Sequence, residues 1–224
     1  KEMRLAMADA IVGDDVYEDD PTIKELEALA AKMTGKEAGL FITSGTMGNQ
    51  LSIYTHTSRG DEIIVGSKAH IKNYEVGASA IISGVSYHLI DEVDGMMPLR
   101  SIKYGIRGQD VHYPDSSLIC LENAHGSGKV LPLDYMKSVY ELAKENNLNV
   151  HLDGARLFNA ATFLQVDASE ICQYVDSVTF CLSKGLASPI GSVLCGSKEF
   201  IRKARRGRKM LGGGMRQVGI LGAA

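Results

Sequence analysis

The sequence has few cysteines, no long apolar segment and no large excess of charge. Its four cysteines, Cys120, Cys172, Cys181 and Cys195, include no C-x-x-C pair, which argues against a disulfide framework and a zinc site. No apolar run approaches the ~18 residues of a membrane helix, and the first residues do not resemble a signal peptide. A net charge of −3 favours neither nucleic acid nor a membrane as partner. We therefore expect a cytoplasmic protein with reduced thiols.

The composition suits a globular domain, and both ends look like cuts in a longer polypeptide. With 45% hydrophobic residues over 224 positions, the chain is long enough for a substantial core. It begins at Lys1 without a methionine, and its last residues, GILGAA, continue an apolar, helix-favouring pattern without a capping residue. We treat residues 1–224 as one domain and expect further segments on both sides of it.

Short apolar stretches alternate with helical ones along the chain. The predicted strands, rich in Val, Ile, Leu or Phe, are AGLFIT, DEIIVGS, SLICLEN, NVHLD, SVTFCLS and GSVLCGS. The predicted helices are PTIKELEALAAKMTG, SGTMGNQLSIYTHT, LDYMKSVYELAKENN and SKEFIRKARRGRKM. This alternation is typical of a three-layer α/β/α fold with a mostly parallel central sheet. Ligands of such sheets bind outside the carboxyl ends of the strands, so polar residues at those ends are the candidate site.

One lysine lies in an otherwise uncharged segment, TFCLSKGLASPIGS, at residues 179–192. Lysine is rarely fully buried without a partner. Lys184 therefore either sends its ammonium into solvent at a strand end or is a desolvated amine that forms a Schiff base. The segment alone favours the solvent-exposed alternative, and the other motifs are needed to decide.

Two further strand ends carry groups that suit a phosphorylated heterocycle. In NVHLDGARLFNA, Asp153 either caps the next helix or holds a protonated ring nitrogen, as enzymes that use pyridoxal 5′-phosphate (PLP) require. Arg156 follows on that helix. In TSGTMGNQ, the residues Ser44, Gly45 and Thr46 form either an ordinary N-cap or a phosphate site at a helix N-terminus.

Two histidines are candidates for acid–base work. His70, in GSKAHIKNYE, lies between a strand and a helix, where an imidazole can stack on a planar cofactor and titrates near neutral pH. A structural, hydrogen-bonded histidine is the alternative. His112, in QDVHYPDSSL, is the second candidate. We interpret the other four histidines as structural: His56, His88, His125 and His151.

A basic run near the end of the chain, RKARRGRKMLGGGMRQVG, predicts a solvated helix face or a nucleic-acid patch, and we favour the helix face. Lys209 and Arg216 are the exception. They flank Gly212–Gly214, whose backbone can approach a ligand closely, and the two cations can complete a phosphate site.

These motifs resemble those of the low-specificity L-threonine aldolases, PLP enzymes of the aspartate-aminotransferase superfamily (fold type I). The matching stretches are VGDDVYEDDPT, SGTMGNQ, KAHIKNYE, LENAH, HLDGARLFNA, CLSKGLASPIGS and RKMLGGGMRQ. The resemblance implies that residues 1–224 are the PLP-binding large domain, without the N-terminal segment and the C-terminal small domain of the family. It also implies retro-aldol cleavage of L-threonine or L-allo-threonine to glycine and acetaldehyde.

The resemblance implies a role for each candidate residue. Lys184 would hold the cofactor as an imine, Asp153 would bind the ring nitrogen, and His70 would stack on the ring. His70 and Arg156 would contact the substrate, and His112 would be a second catalytic histidine. The other implied cofactor contacts are Ser44, Gly45, Thr46 and Arg156, with Lys209 and Arg216 reaching the phosphate of the neighbouring subunit in a homodimer or homotetramer.

Several alternatives stay open at this point. Another fold-type-I enzyme acting on an α-amino acid, such as a β-eliminating lyase or an aminotransferase, would share these motifs, and so would a truncated, non-catalytic PLP-binding module. The base for the β-hydroxyl proton is His70, His112 or a water held by them. The acidic run DDVYEDDP resembles a metal cluster, and we interpret it as a family signature that needs no metal. Its carboxylates are Asp14, Asp15, Glu18, Asp19 and Asp20.

Overall fold

A seven-stranded sheet forms the centre of the computed structural model, which describes all of residues 1–224. The strands are β1 (Ala38–Ile42), β2 (Glu62–Gly66), β3 (Ser86–Ile90), β4 (Ser116–Glu122), β5 (Asn149–Asp153), β6 (Ser177–Cys181) and β7 (Ser192–Gly196). Their order across the sheet is β1-β7-β6-β5-β4-β2-β3. Strands β2 to β6 pair in parallel, whereas β7 is antiparallel to both β6 and β1. All strands except β7 therefore point the same way.

Helices fill the connections between the strands. They are α1 (Glu2–Ala8), α2 (Pro21–Thr34), α3 (Gly45–His56), α4 (His70–Asn73), α5 (Leu99–Gly105), α6 (Leu133–Glu145), α7 (Leu157–Leu164), α8 (Ala168–Cys172), α9 (Lys198–Met210) and α10 (Gly219–Gly222). The four helices expected from the sequence correspond to α2, α3, α6 and α9. Helix α2 follows Asp20, whose side chain caps its start, and ends at Gly35, which has a left-handed φ of 66°. None of the helices combines the length and the apolar character that a membrane span needs.

The core lies on both faces of the sheet. Every residue of β2, β6 and β7 is buried, as expected for strands covered by helices on two sides. The largest apolar cluster contains 25 buried residues, Ile119 and Leu152 among them. Each such aliphatic side chain contributes ~1.5–3 kcal/mol when it is fully buried.

Strand β3 was not expected from the sequence. It lies at the edge of the sheet, and of its residues only Ile90 is buried. Because an edge strand on a partly open face needs few apolar positions, SYHLI lacks the continuous apolar pattern by which the other strands were found.

The acidic run and the basic run of the sequence meet in the fold. Asp15 and Arg208 are 2% and 3% exposed, and Asp15 Oδ2 lies 2.7 Å from Arg208 Nη2. Further ion pairs join Arg205 to Glu18 and Glu27, and Arg216 to Asp14. The acidic run and Glu27 therefore supply ion-pair partners for Arg205, Arg208 and Arg216.

Candidate active site

A cavity of about 340 Å³ opens where β1, β5 and β6 end. Because these strands point the same way, their carboxyl ends bring distant motifs to one edge of the sheet. The volume lies at the lower end of the range for small-molecule sites. Its polar lining includes Ser44, Thr46, Asn49, His70, Asp153 and Lys184.

The N-terminus of α3 forms one wall of this cavity. The Ser44 hydroxyl accepts a hydrogen bond from the Met47 N–H at 3.1 Å, so Ser44 is the N-cap. A helix leaves the N–H groups of its first turn, here those of Gly45 and Thr46, without helical partners, and the helix dipole favours an anion beside them. A side chain at Gly45 would place its Cβ 2.9 Å from Cys181 Sγ. The same residues therefore act as a cap and present an anion site.

Asp153 is a buried carboxylate without a cationic partner. It ends β5 with 3% of its surface exposed. Its Oδ2 accepts from Asn49 Nδ2 at 2.8 Å and its Oδ1 from the Ala155 N–H at 3.1 Å. None of the ion pairs of the chain includes it. Burying an unpaired charge is costly, so a protonated ring nitrogen entering the cavity would supply the missing cation, and in this respect the site fits PLP.

His70 is held from two sides by carboxylates that the sequence analysis did not single out. Its Nδ1 lies 2.9 Å from Oε1 of Glu75, which is 2% exposed. Its backbone N–H donates to Glu122 Oε2 at 2.8 Å. Burial raises the pKa of Glu75, against the opposing hydrogen bonds from Asn49, Gln50 and His70. Burial and the negative charge of Asp153 raise the pKa of Glu122.

Glu75 and Asn49 lie within motifs that the sequence analysis quoted, KAHIKNYE and SGTMGNQ. The signal available for Glu75 was a carboxylate five residues after a candidate histidine. Asn49 carried no such signal, because its partners Glu75 and Asp153 are 26 and 104 residues away in the sequence.

The ligand atoms of His70, Glu75 and Asp153 lie within 4.8 Å of one another, a spacing that a metal ion could bridge. The amide nitrogen of Asn49 donates to both carboxylates at 2.8 Å. Its two N–H groups thus already fill the position between the two acids. We interpret the cluster as a hydrogen-bond network centred on Asn49.

Lys184 lines the cavity from the turn that follows β6. The strand is fully buried, as the sequence indicated. The turn is exposed from Ser183 to Ala187, Lys184 included. Lys184 therefore lies on an exposed turn beside the cavity and forms no ion pair within the chain.

The structure brings six of the predicted residues to the cavity: Ser44, Gly45, Thr46, His70, Asp153 and Lys184. It does not bring the other four there. Arg156 is exposed at the N-cap position of α7, beside the cavity residue Ala155. The His112 side chain is 81% exposed and its Nδ1 bonds to Asp110 Oδ1 at 2.7 Å. Lys209 is exposed on α9, and Arg216 pairs with Asp14 at 2.6 Å.

The fold of the whole chain is similar to that of a solved structure. A putative L-allo-threonine aldolase from Listeria monocytogenes has a TM-score of 0.85 with this chain and 25% sequence identity, covering 99% of this chain and 62% of that one. This confirms the predicted class, an α/β fold of PLP fold type I. The chain belongs to the beta-eliminating lyase family, whose model matches residues 1–224. The prediction of PLP as cofactor is confirmed with it.

Sequence relatives point to one group within this family. An uncharacterised protein of Caenorhabditis elegans is 52% identical over 226 residues, which cover 100% of this chain and 55% of that protein. The low specificity L-threonine aldolase of Escherichia coli K12 is 47% identical over 223 residues, which cover 99% of this chain and 67% of that protein. The predicted resemblance to low-specificity L-threonine aldolases is confirmed. The chain spans about half to two thirds of the length of these relatives.

Proposed function

We propose that residues 1–224 form the PLP-binding large domain of an enzyme that cleaves L-threonine and L-allo-threonine to glycine and acetaldehyde. The observation that carries the proposal is the convergence of an amine, a buried carboxylate without a cation and a helix N-terminus on one cavity of about 340 Å³. Each of these three matches one part of the cofactor, namely its aldehyde, its ring nitrogen and its phosphate. The relatives named as L-threonine aldolases support the substrate.

The residues of the chain would divide the binding of the cofactor among them. When bound, PLP accepts the electron pair that is released as a bond to Cα of the amino acid breaks. The amine of Lys184 would hold the aldehyde carbon covalently. The carboxylate of Asp153 would keep the ring nitrogen protonated, because a nearby negative charge favours the charged form. The first-turn N–H groups of α3 would bind the phosphate, and the His70 imidazole would stack on the ring.

The substrate would be oriented by Arg156 and deprotonated by a histidine or by a water that a histidine holds. Arg156 is exposed beside the cavity and forms no ion pair in the chain, so its guanidinium is available for a bidentate contact with the substrate carboxylate. Fixing the carboxylate orients the Cα–Cβ bond. His70 Nδ1 faces Glu75, which leaves Nε2 for the β-hydroxyl proton when Glu75 accepts from Nδ1. His112 remains the second candidate, from a neighbouring subunit or after movement of its loop.

We also propose a homodimer or homotetramer in the cytoplasm. Lys209 and Arg216 are exposed and line no part of the cavity of their own chain, which suits the prediction that they reach the phosphate bound by a neighbouring subunit. The four cysteines are free and buried, as in proteins of a reducing compartment.

Product analysis tests the proposal. The full-length protein is supplied with PLP and then with L-threonine or L-allo-threonine, and glycine and acetaldehyde are measured against a Lys184→Ala variant. Equal amounts of glycine and acetaldehyde, absent in the variant, are expected. Free ammonia with a keto acid would instead indicate β-elimination, and a keto acid without free ammonia would indicate transamination. Cofactor absorbance without any turnover would indicate a non-catalytic module.

A further inference from the structure

A series of hydrogen-bonded side chains leads from the edge of the fold to Asp153. His56 Nε2 lies 2.9 Å from Ser177 Oγ, which lies 2.9 Å from His151 Nδ1. His151 Nε2 lies 3.0 Å from Asn49 Oδ1, and Asn49 Nδ2 lies 2.8 Å from Asp153 Oδ2. We call these five residues the relay. Its three central members, Asn49, His151 and Ser177, are at most 1% exposed, so bulk solvent does not reach them.

The orientation of Asn49 fixes the direction of the relay. Its amide nitrogen faces two carboxylates, Glu75 and Asp153, each at 2.8 Å. The reverse orientation would set the amide oxygen against two carboxylate oxygens and leave Asp153 Oδ2 without a donor. The oxygen of Asn49 therefore faces His151 and requires a proton on His151 Nε2.

This requirement sets the tautomer of His151. Complete burial lowers the pKa of His151 to about 3, so the ring is neutral and carries a single N–H. With that proton on Nε2, the Nδ1 atom is an acceptor, and the Ser177 hydroxyl must donate to it.

The last step concerns His56. The hydroxyl of Ser177 has one proton, and it donates this proton in the hydrogen bond to His151 Nδ1. The Ser177 oxygen can then only accept from His56, which places the His56 proton on Nε2. Burial lowers the pKa of His56 to about 4, so this ring is also neutral near pH 7. Every donor in the relay thus points toward Asp153.

We propose that the relay is a positioning device for Asp153, which aligns successive donors on its carboxylate and keeps that carboxylate turned toward the ring nitrogen of the cofactor. The inference rests on the proposed function for the identity of the cofactor. Hydrogen bonds that point the same way polarise one another, so the relay stabilises negative charge on Asp153. His56, Ser177 and His151 do not line the cavity and act on Asp153 through Asn49.

The side-chain amide of Asn49 also donates to two neighbouring buried acids at once. Asp153 and Glu75 are both buried, and two like charges so close repel each other. Two N–H groups on one nitrogen satisfy both acids at once. Because Glu75 also faces His70 Nδ1, Asn49 links the ring-nitrogen contact to the stacking histidine.

The direction of the relay is tested without any cofactor. Two-bond 1H–15N correlation spectra of the histidine rings in the full-length protein, at pH 7 and free of PLP, report which nitrogen carries the proton. Both His151 and His56 are expected as Nε2–H tautomers. A proton on His151 Nδ1, or a doubly protonated ring, would overturn the proposed direction.

The effect on Asp153 is tested with two ligands, PLP and an analogue that has C–H in place of the ring nitrogen. Both react with Lys184 in the same way, but only PLP engages Asp153. His151→Leu is expected to weaken PLP about tenfold, on the scale of one hydrogen bond to a charged group, and to leave the affinity for the analogue nearly unchanged. His151→Gln, which retains a donor and an acceptor, is expected to restore most of the PLP affinity.

If His151→Leu weakens the binding of PLP and of the analogue equally, the relay has only a packing role and the inference is refuted. If His151→Leu does not fold, Ser177→Ala is measured in its place, because it removes the central hydroxyl and little volume. Failure of the unsubstituted protein to bind PLP would refute the proposed function, and the tautomer measurement would still decide the direction of the relay.

Discussion

The buried ion pair between Arg208 and Asp15 joins α9 to the acidic run, and we expect Arg208→Met to be strongly destabilising. Arg208 Nη2 lies 2.7 Å from Asp15 Oδ2, in an orientation outside hydrogen-bond geometry, so this contact is mainly electrostatic. Arg208 Nη1 donates to the Phe41 carbonyl at 2.7 Å. Methionine keeps much of the volume but leaves Asp15 buried, with Arg205 Nη1 3.8 Å away. Truncating one partner of such a pair costs ~3–5 kcal/mol.

Urea unfolding monitored by circular dichroism measures this loss. The matched control is Arg202→Met on the same helix, whose pair with Glu199 is exposed on both sides and contributes at most ~1 kcal/mol. At ~2–4 °C per kcal/mol for a chain of this size, Arg208→Met should lower Tm by roughly 10 °C. A double variant, Arg208→Met with Asp15→Leu, should be less destabilised than Arg208→Met alone. If Arg208→Met and Arg202→Met cost the same, the reasoning from burial is wrong.

Four further experiments test the candidate site and the relay. Borohydride reduction followed by mass spectrometry should attach PLP to the unsubstituted protein and not to Lys184→Ala; labelling of that variant would exclude Lys184 as the covalent residue. Asp153→Asn should lower kcat by about 10²–10³, as the loss of a preorganised electrostatic contact does, and near-normal turnover would remove Asp153 from the mechanism. His70→Asn should change the pH–rate profile, because it removes the titratable group proposed as the base. If His112→Phe changes that profile and His70→Asn does not, His112 is the base. Because burial lowers the pKa of His151 from 6.5 to about 3, the unfolded chain binds more protons below pH 6.5, and stability is lost as pH falls. Between pH 6.5 and 5, we expect the free energy of unfolding of His151→Gln to fall by about 2 kcal/mol less than that of the unsubstituted protein. Equal losses in urea titrations at the two pH values would contradict the lowered pKa of His151.

The sheet was predictable because burial on two faces leaves a continuous apolar pattern. Strands such as β6, with every residue buried, stand out from their surroundings. The strand order is a property of long-range pairing, and no local pattern of the sequence contains it. Strand β3 could not be found in this way, because it lies at a half-exposed edge and its residues mix polar and apolar types.

The candidate site was predictable where single residues carry a chemical signal and several such signals are combined. Lys184 in an uncharged segment and Asp153 at a strand end each stand out as candidates, although the other motifs were needed to choose between their alternatives. Glu75, Glu122 and Asn49 do not, because their importance comes from contacts with residues that the fold brings near. Likewise, the two charged runs look like a metal site and a solvated face when taken separately, and their mutual pairing appears only in three dimensions.

Helix α3 connects the two ends of the candidate cofactor site. Its first turn presents the N–H groups of Gly45 and Thr46, which form the proposed anion site, and one turn later Asn49 donates a hydrogen bond to Asp153. Four residues of helix advance by about 6 Å, so one rigid element sets the separation between the anion site and the ring-nitrogen contact. The helix lies directly on the sheet, since a Cβ at Gly48 would come within 2.5 Å of Thr179. A shift of α3 would therefore move both contacts together, because the proposed phosphate site and Asn49 of the relay lie in the same short stretch, SGTMGNQ.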